Sequence, residues 1–147
     1  PAAAARLRPT YRRGEVHELP GGVTVIDDSY NASPLAVRQL LELLAVTPGR
    51  RVAVLGEMLE LGPASTDLHR EAGELAGRCA DLLVAVGGAP ARALAEAALG
   101  IEVHAVADAE QALGLLRHLL RGGDVVLIKG SRAVGLDRVV DGLRERA

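Results

Sequence analysis

Three short stretches combine residue types that can do chemistry. The first is Asp27-Asp28-Ser29-Tyr30-Asn31-Ala32-Ser33-Pro34, where two carboxylates, a phenol and an amide follow a Val-Thr-Val-Ile run. Carboxylates and amides next to the start of a helix suit a nucleotide, because the helix N-terminal amides carry partial positive charge. An ordinary capped turn explains the same residues, with Asn31 or Ser33 as cap and Pro34 in the first turn. The second stretch, Gly56-Glu57-Met58-Leu59-Glu60-Leu61-Gly62-Pro63, precedes His69, which can orient a polar group or carry a proton, or be satisfied by a neighbour within its helix. The third, Lys129-Gly130-Ser131-Arg132, sets two cations and a hydroxyl on a glycine-containing loop suited to a carboxylate or phosphate; a solvated turn is the alternative. Lys129 is the only lysine in the chain.

The elements that must position these stretches follow from the apolar runs. Val16 to Leu19 and Val23 to Asp28, separated by Pro20-Gly21-Gly22, read as an antiparallel hairpin. Strand-like runs at Arg51 to Leu55, Leu82 to Val86, Val103 to Val106 and Val125 to Ile128 then alternate with helical stretches. Those helices are expected at Pro34 to about Val46, Ser65 to Cys79, Pro90 to Leu99, Ala109 to Leu120 and Leu136 to Arg146. Strands without period-two polarity belong in a parallel sheet covered on both faces. The expectation is an α/β, Rossmann-like three-layer sandwich of about five parallel strands and one antiparallel edge strand. In such a sheet the residues just beyond the strands' carboxyl ends bind ligands, and the three stretches lie there. Gly87-Gly88, after Val86, reads as a tight turn without chemistry.

Composition narrows the function classes. The 147 residues fit one domain, and with 49% hydrophobic residues, two Tyr and no Trp or Phe the core must be aliphatic. A formal charge of -2 without a basic block argues against nucleic acid or an anionic membrane surface as partner, and no apolar run approaches membrane-spanning length. The lone Cys79 cannot form an internal disulfide and reads as a small buried hydrophobe. Lys129 follows Ile128, so no P-loop is present, and His17, His104 and His118 are scattered without metal-ligand spacing. A receiver-type signalling module would need an aspartate at the end of its third parallel strand, where Val86 and Gly87 stand.

Asp-Asp-Ser-Tyr-Asn-Ala-x-Pro at 27–34, the Leu-Gly-Glu-Met-x-Glu-Leu-Gly run at 55–62, His69 and Lys-Gly-Ser-Arg at 129–132 together resemble the C-terminal domain of the Mur ligases. Within that family they are most similar to the branch that adds D-alanyl-D-alanine, with a sibling branch adding a single amino acid as the alternative. Arg13 stands where the family has an arginine ahead of the hairpin, and the similarity runs from about Arg13 to Arg146. Residues 1–12, with an Ala run and no initiator Met, would then be a linker or the tail of a central ATPase domain, and residues 13–147 the C-terminal domain.

The resemblance implies an ATP-dependent, amide-forming ligase of peptidoglycan synthesis, cytoplasmic and monomeric. Its substrates would be ATP, UDP-N-acetylmuramoyl-tripeptide and D-alanyl-D-alanine, with ATP and Mg2+ held mainly by a central domain. It implies further that Arg13 reaches the ATP phosphates, Asp28 the ribose, and Tyr30 and Asn31 the nucleotide's surroundings. Lys129, Ser131, Arg132 and His69 would serve the incoming dipeptide, with Arg13 and Lys129 acting in catalysis. This chain alone is expected to be inactive.

Overall fold

The computed structural model describes residues 12–146. Eleven elements alternate along the chain, apart from two 3-10 turns: β1 (Glu15–Leu19), β2 (Val23–Asp28), α1 (Pro34–Ala45), β3 (Arg50–Gly56), α2 (Ser65–Cys79), β4 (Leu82–Val86), α3 (Ala89–Ala97), β5 (Glu102–Val106), α4 (Ala109–Leu119), β6 (Asp124–Lys129) and α5 (Asp137–Arg146). The 3-10 turns, Gly62–Ala64 and Arg132–Val134, were not expected and sit in two of the motif loops. The strands form one sheet in the order β1-β2-β6-β3-β4-β5. β1 is antiparallel to β2 and every other neighbouring pair is parallel, so the expected architecture holds. Of the segment 1–12, residues 1–11 lie outside the described residues.

Two apolar layers sandwich the sheet. On one face Val37, Leu41 and Leu44 of α1 pack with Ala72 and Ala76 of α2, Leu94 of α3 and the strand residues Ala53, Leu55, Leu83, Ala85 and Leu127. On the other, Ala112 and Leu116 of α4 and Val139, Val140 and Leu143 of α5 cover Val25, Val52, Val54, Val84, Val126 and Ile128. β3, β4 and β6 are almost wholly buried, as their continuous Val/Leu/Ile runs require. β5 differs: it is an edge strand with two exposed positions, and its polar Glu102 and His104 bond each other at 2.7 Å. Cys79 is buried, and that burial pushes its thiol pKa up, as packing rather than nucleophilic use requires. Among the described residues no helix is long and apolar enough to cross a membrane.

The strand order creates the openings where ligands can sit. β2, β3 and β4 feed α1, α2 and α3 on one face, whereas β5 and β6 feed α4 and α5 on the other. Because β6 lies between β2 and β3, the loops leaving it part from those of both neighbours. A second divergence falls between β4 and β5. Such points, where adjacent loops leave to opposite faces, form crevices at the carboxyl edge of the sheet.

Candidate functional site

Strand alternation separates the two neighbouring aspartates. Asp27 turns toward the α5 face and is 1% exposed; its Oδ1 accepts from the Ser29 amide (3.1 Å) and hydroxyl (2.6 Å). Only Asp28 faces the crevice between β2 and β6, so one carboxylate rather than two is offered there. Asp28 is the register partner of Lys129 on β6, and the Lys129 ammonium bonds its Oδ2 and donates to the Asn31 carbonyl at 2.6 Å. Asn31 Oδ1 accepts from Ala32 N (2.8 Å), and Ser33, not Asn31, caps α1 through Ala36 N at 3.2 Å.

Two consecutive arginines ahead of β1 have opposite fates. Arg12 is drawn inward, its guanidinium gripping both oxygens of Asp141 on α5 (2.8 and 2.9 Å) and Asp27 Oδ2 at 3.2 Å. Its carbonyl accepts from Tyr30 N at 3.1 Å, and Gly14 N donates to Asp27 O at 2.9 Å. Arg12 is therefore bound into the fold. These bonds carry the hairpin pairing past β1 and leave Arg13 exposed, with its guanidinium 4.2 Å from the Tyr30 ring centroid. Arg132, also exposed, stands 5.4 Å from the same centroid. Two cations thus share one aromatic ring at cation–π distance. Beside them a pocket of about 260 Å3 is lined by Arg13, Asp28, Asn31, Ser33 and Lys129. Another, of about 340 Å3, is lined by Tyr30, Arg132, Asp137 and Arg138.

The other residues expected at a site lie deeper and are bonded within the fold. Lys129 and Ser131 are each only 4% exposed, and His69 is fully buried. Ser131 fastens the β3 loop to the β6 loop: its amide donates to Glu57 O (3.1 Å) and its Oγ accepts from Leu59 N (2.9 Å). His69 Nε2 accepts from Met58 N (2.9 Å), which leaves the ring proton on Nδ1, 2.7 Å from the Ser65 carbonyl. All three face inward because their polar atoms satisfy backbone groups that burial would otherwise strand. Of the residues expected to serve the amino substrate, Arg132 alone is exposed in the geometry described. The loops these bonds hold are packed so tightly that a Cβ on Gly130 would lie 3.1 Å from Gly56 Cα.

Two features escaped the sequence reading. The Glu57 carboxylate reaches across to the Gly88 amide at the start of α3. Both residues stood in noted stretches, but nothing in the spacing paired them. The second feature is a group of potential metal ligands, Glu15, His17 and Asp27, which comes together only through hairpin register. His17 Nε2 there is buried without a hydrogen-bond partner among the described residues. This group does not fit the octahedral all-oxygen shell that magnesium requires, and Arg12 already neutralises Asp27.

Residues 12–132 match the family described as Mur ligase, glutamate ligase domain. A UDP-N-acetylmuramoyl-tripeptide--D-alanyl-D-alanine ligase of Mycobacterium leprae is 43% identical over 95% of this chain and 31% of its own length. The enzyme of the same description from Escherichia coli is 35% identical over 82% of this chain and 27% of its length. Among solved structures, a MurF ligase from Thermotoga maritima in complex with ADP superposes with a TM-score of 0.80 at 36% identity, covering 97% of this chain and 34% of that one. The chain thus spans about a third of the length of the proteins it resembles.

Proposed function

The chain belongs to the Mur ligase family, and from that premise we propose that it is the C-terminal domain of the ATP-dependent ligase that joins D-alanyl-D-alanine to UDP-N-acetylmuramoyl-tripeptide. In that reaction the tripeptide carboxylate attacks the γ-phosphate of ATP, releasing ADP and forming an acyl phosphate. The amine of the dipeptide then attacks the acyl carbon, phosphate departs, and the amine loses a proton as the amide forms. Two charged partners must be aligned and water kept out, which suits a lid domain with ligand groups along one edge.

Within this reading Arg13 meets the ATP phosphates and stabilises charge on the transferring phosphoryl group. Asp28, with Oδ2 held by Lys129, offers its other oxygen to the ribose, while Tyr30 and Asn31 border the nucleotide. Arg132 takes the dipeptide carboxylate. Lys129, Ser131 and His69 position these groups instead of touching substrate. Magnesium would be held by the phosphates and by residues outside this chain. Nucleotide-linked substrates of this kind place the work in the cytoplasm.

The observation that carries the proposal is the convergence of Arg13 and Arg132 on the Tyr30 ring: the two arginines are 119 positions apart in the chain, yet both stand exposed over one edge of the sheet. The ADP complex of the Thermotoga relative supports the nucleotide half of the reading. Steady-state kinetics of Arg13→Ala and Arg132→Ala in the full-length protein test it. The first should impair the ATP-dependent step and the second should raise the dipeptide KM. Wild-type constants in both folded variants would overturn it.

A further inference from the structure

A third open pocket, of about 350 Å3, lies over the carboxyl ends of β3, β4 and β5, at the divergence between β4 and β5. Glu57, Leu59, Gly88, Asp108, Ala133 and Val134 are among its lining residues. It adjoins the Arg132 pocket across a single turn: Arg132 faces Tyr30 on one side, Ala133 lines both pockets, and Val134 walls this one on the other. We propose that this pocket receives the amino end of the incoming substrate and that Glu57 holds its ammonium group. This inference rests on the proposed function, because it takes the substrate to be a short zwitterionic peptide.

The placement of Glu57 is specific. Its Oε2 accepts from the Gly88 amide, and its other oxygen has no partner among the described residues. Gly87 has φ +142°, and the Glu57 carboxylate lies where a Cβ on Gly87 would stand, so a side chain at that position would displace it. Its main chain is fixed as well, since the Glu57 carbonyl accepts from Ser131 N. Leu59, Ala133 and Val134 supply apolar walls for small alkyl side chains. Asp108 adds a second carboxylate to the lining, with its Oδ1 capping α4 through Gln111 N at 2.9 Å. A molecule with its carboxylate at Arg132 and an extended backbone crosses the Arg132–Val134 turn and brings its amine toward Glu57. The arrangement is apolar in the middle and oppositely charged at its ends, as a dipeptide of small residues is.

Glu57 also caps α3 from a distance, since that helix has no side-chain cap of its own. Glu57→Gln separates the two roles, because the amide oxygen can still accept from Gly88 while the charge is gone. In the full-length enzyme, with ATP and sugar-peptide saturating, this variant should raise the dipeptide KM roughly 10- to 100-fold, the loss expected for a hydrogen bond to a charged group. Its ATP KM and Tm should stay unchanged. N-acetyl-D-alanyl-D-alanine, which lacks the ammonium, should inhibit wild type and variant alike. A Glu57→Gln enzyme whose dipeptide KM lies within twofold of wild type would overturn the inference and leave Glu57 as a helix cap. If the wild-type enzyme instead uses a single amino acid, the proposed function fails, and the variant's KM for that amine still decides the role of Glu57.

Discussion

Asp28 and Lys129 are the last residues of two adjacent parallel strands, and their side chains close an ion pair across the crevice those strands share. The pair is largely buried, with side-chain exposures of 5% for Lys129 and 13% for Asp28. Removing one partner from such a pair costs more than removing both, because a buried charge is left uncompensated. Lys129→Ala should therefore lower stability by about 3 kcal/mol, and Asp28→Asn with Lys129→Met should recover much of the loss. Urea unfolding of the three proteins checks this. A Lys129→Ala protein as stable as wild type would show that the pair does not hold the corner.

The neighbouring arginines should separate stability from activity. Arg12 holds Asp27 and Asp141, so Arg12→Ala should destabilise the fold, leaving Asp27 buried with only the Ser29 bonds. Arg13 is exposed, and Arg13→Ala should leave Tm within about two degrees, since surface changes seldom exceed 0.5 kcal/mol. Its loss should lower turnover of the full-length enzyme roughly 100-fold. Melting curves and turnover numbers for both variants would expose an exchange of these roles.

How far these roles were legible in the sequence depends on what fixed them. The strands and helices were readable to within two residues, because Val/Leu runs and Gly/Pro breaks are local signals. The position of β6 between β2 and β3 is not local, and it is this order that brings Lys129 against Asp28 and Ser131 against Leu59. A lysine and a serine on a glycine loop suggest ligand contacts, and only the strand order reveals the internal partners that hold them. Glu57 is the opposite case, because its partner Gly88 stands in a Gly-Gly turn whose sequence carries no sign of the contact. For Arg12 the signal was hidden because its partner, Asp141, lies at the far end of the chain.

A pH dependence follows from Asp124 at the start of β6. Burial alone would raise its carboxyl pKa, but the Arg50 guanidinium (2.8 and 2.9 Å), with help from the Arg121 amide, outweighs burial and holds it below the ordinary carboxylate value. A carboxyl lowered in the folded state adds stability that is complete above its unfolded value of about 4 and is lost as pH falls toward the folded value. Wild-type stability should thus decline below about pH 4, and Asp124→Asn, less stable at neutral pH, should decline less steeply. Parallel slopes for the two proteins between about pH 5 and 2 would contradict the assignment.

The isolated chain should fold cooperatively, because both apolar layers close around the sheet without any ligand. It should nevertheless neither hydrolyse ATP nor form an amide bond, since its sequence holds no P-loop. A broad, non-cooperative melt would refute the first statement, and measurable ligase turnover the second.

The central claim is most directly tested by the amine the full-length enzyme selects. Given ATP, magnesium and UDP-N-acetylmuramoyl-tripeptide, it should consume D-alanyl-D-alanine and yield one ADP and one phosphate for each pentapeptide product, with single amino acids used far less efficiently in kcat/KM. An enzyme that forms product from a single amino acid and leaves the dipeptide untouched would contradict it.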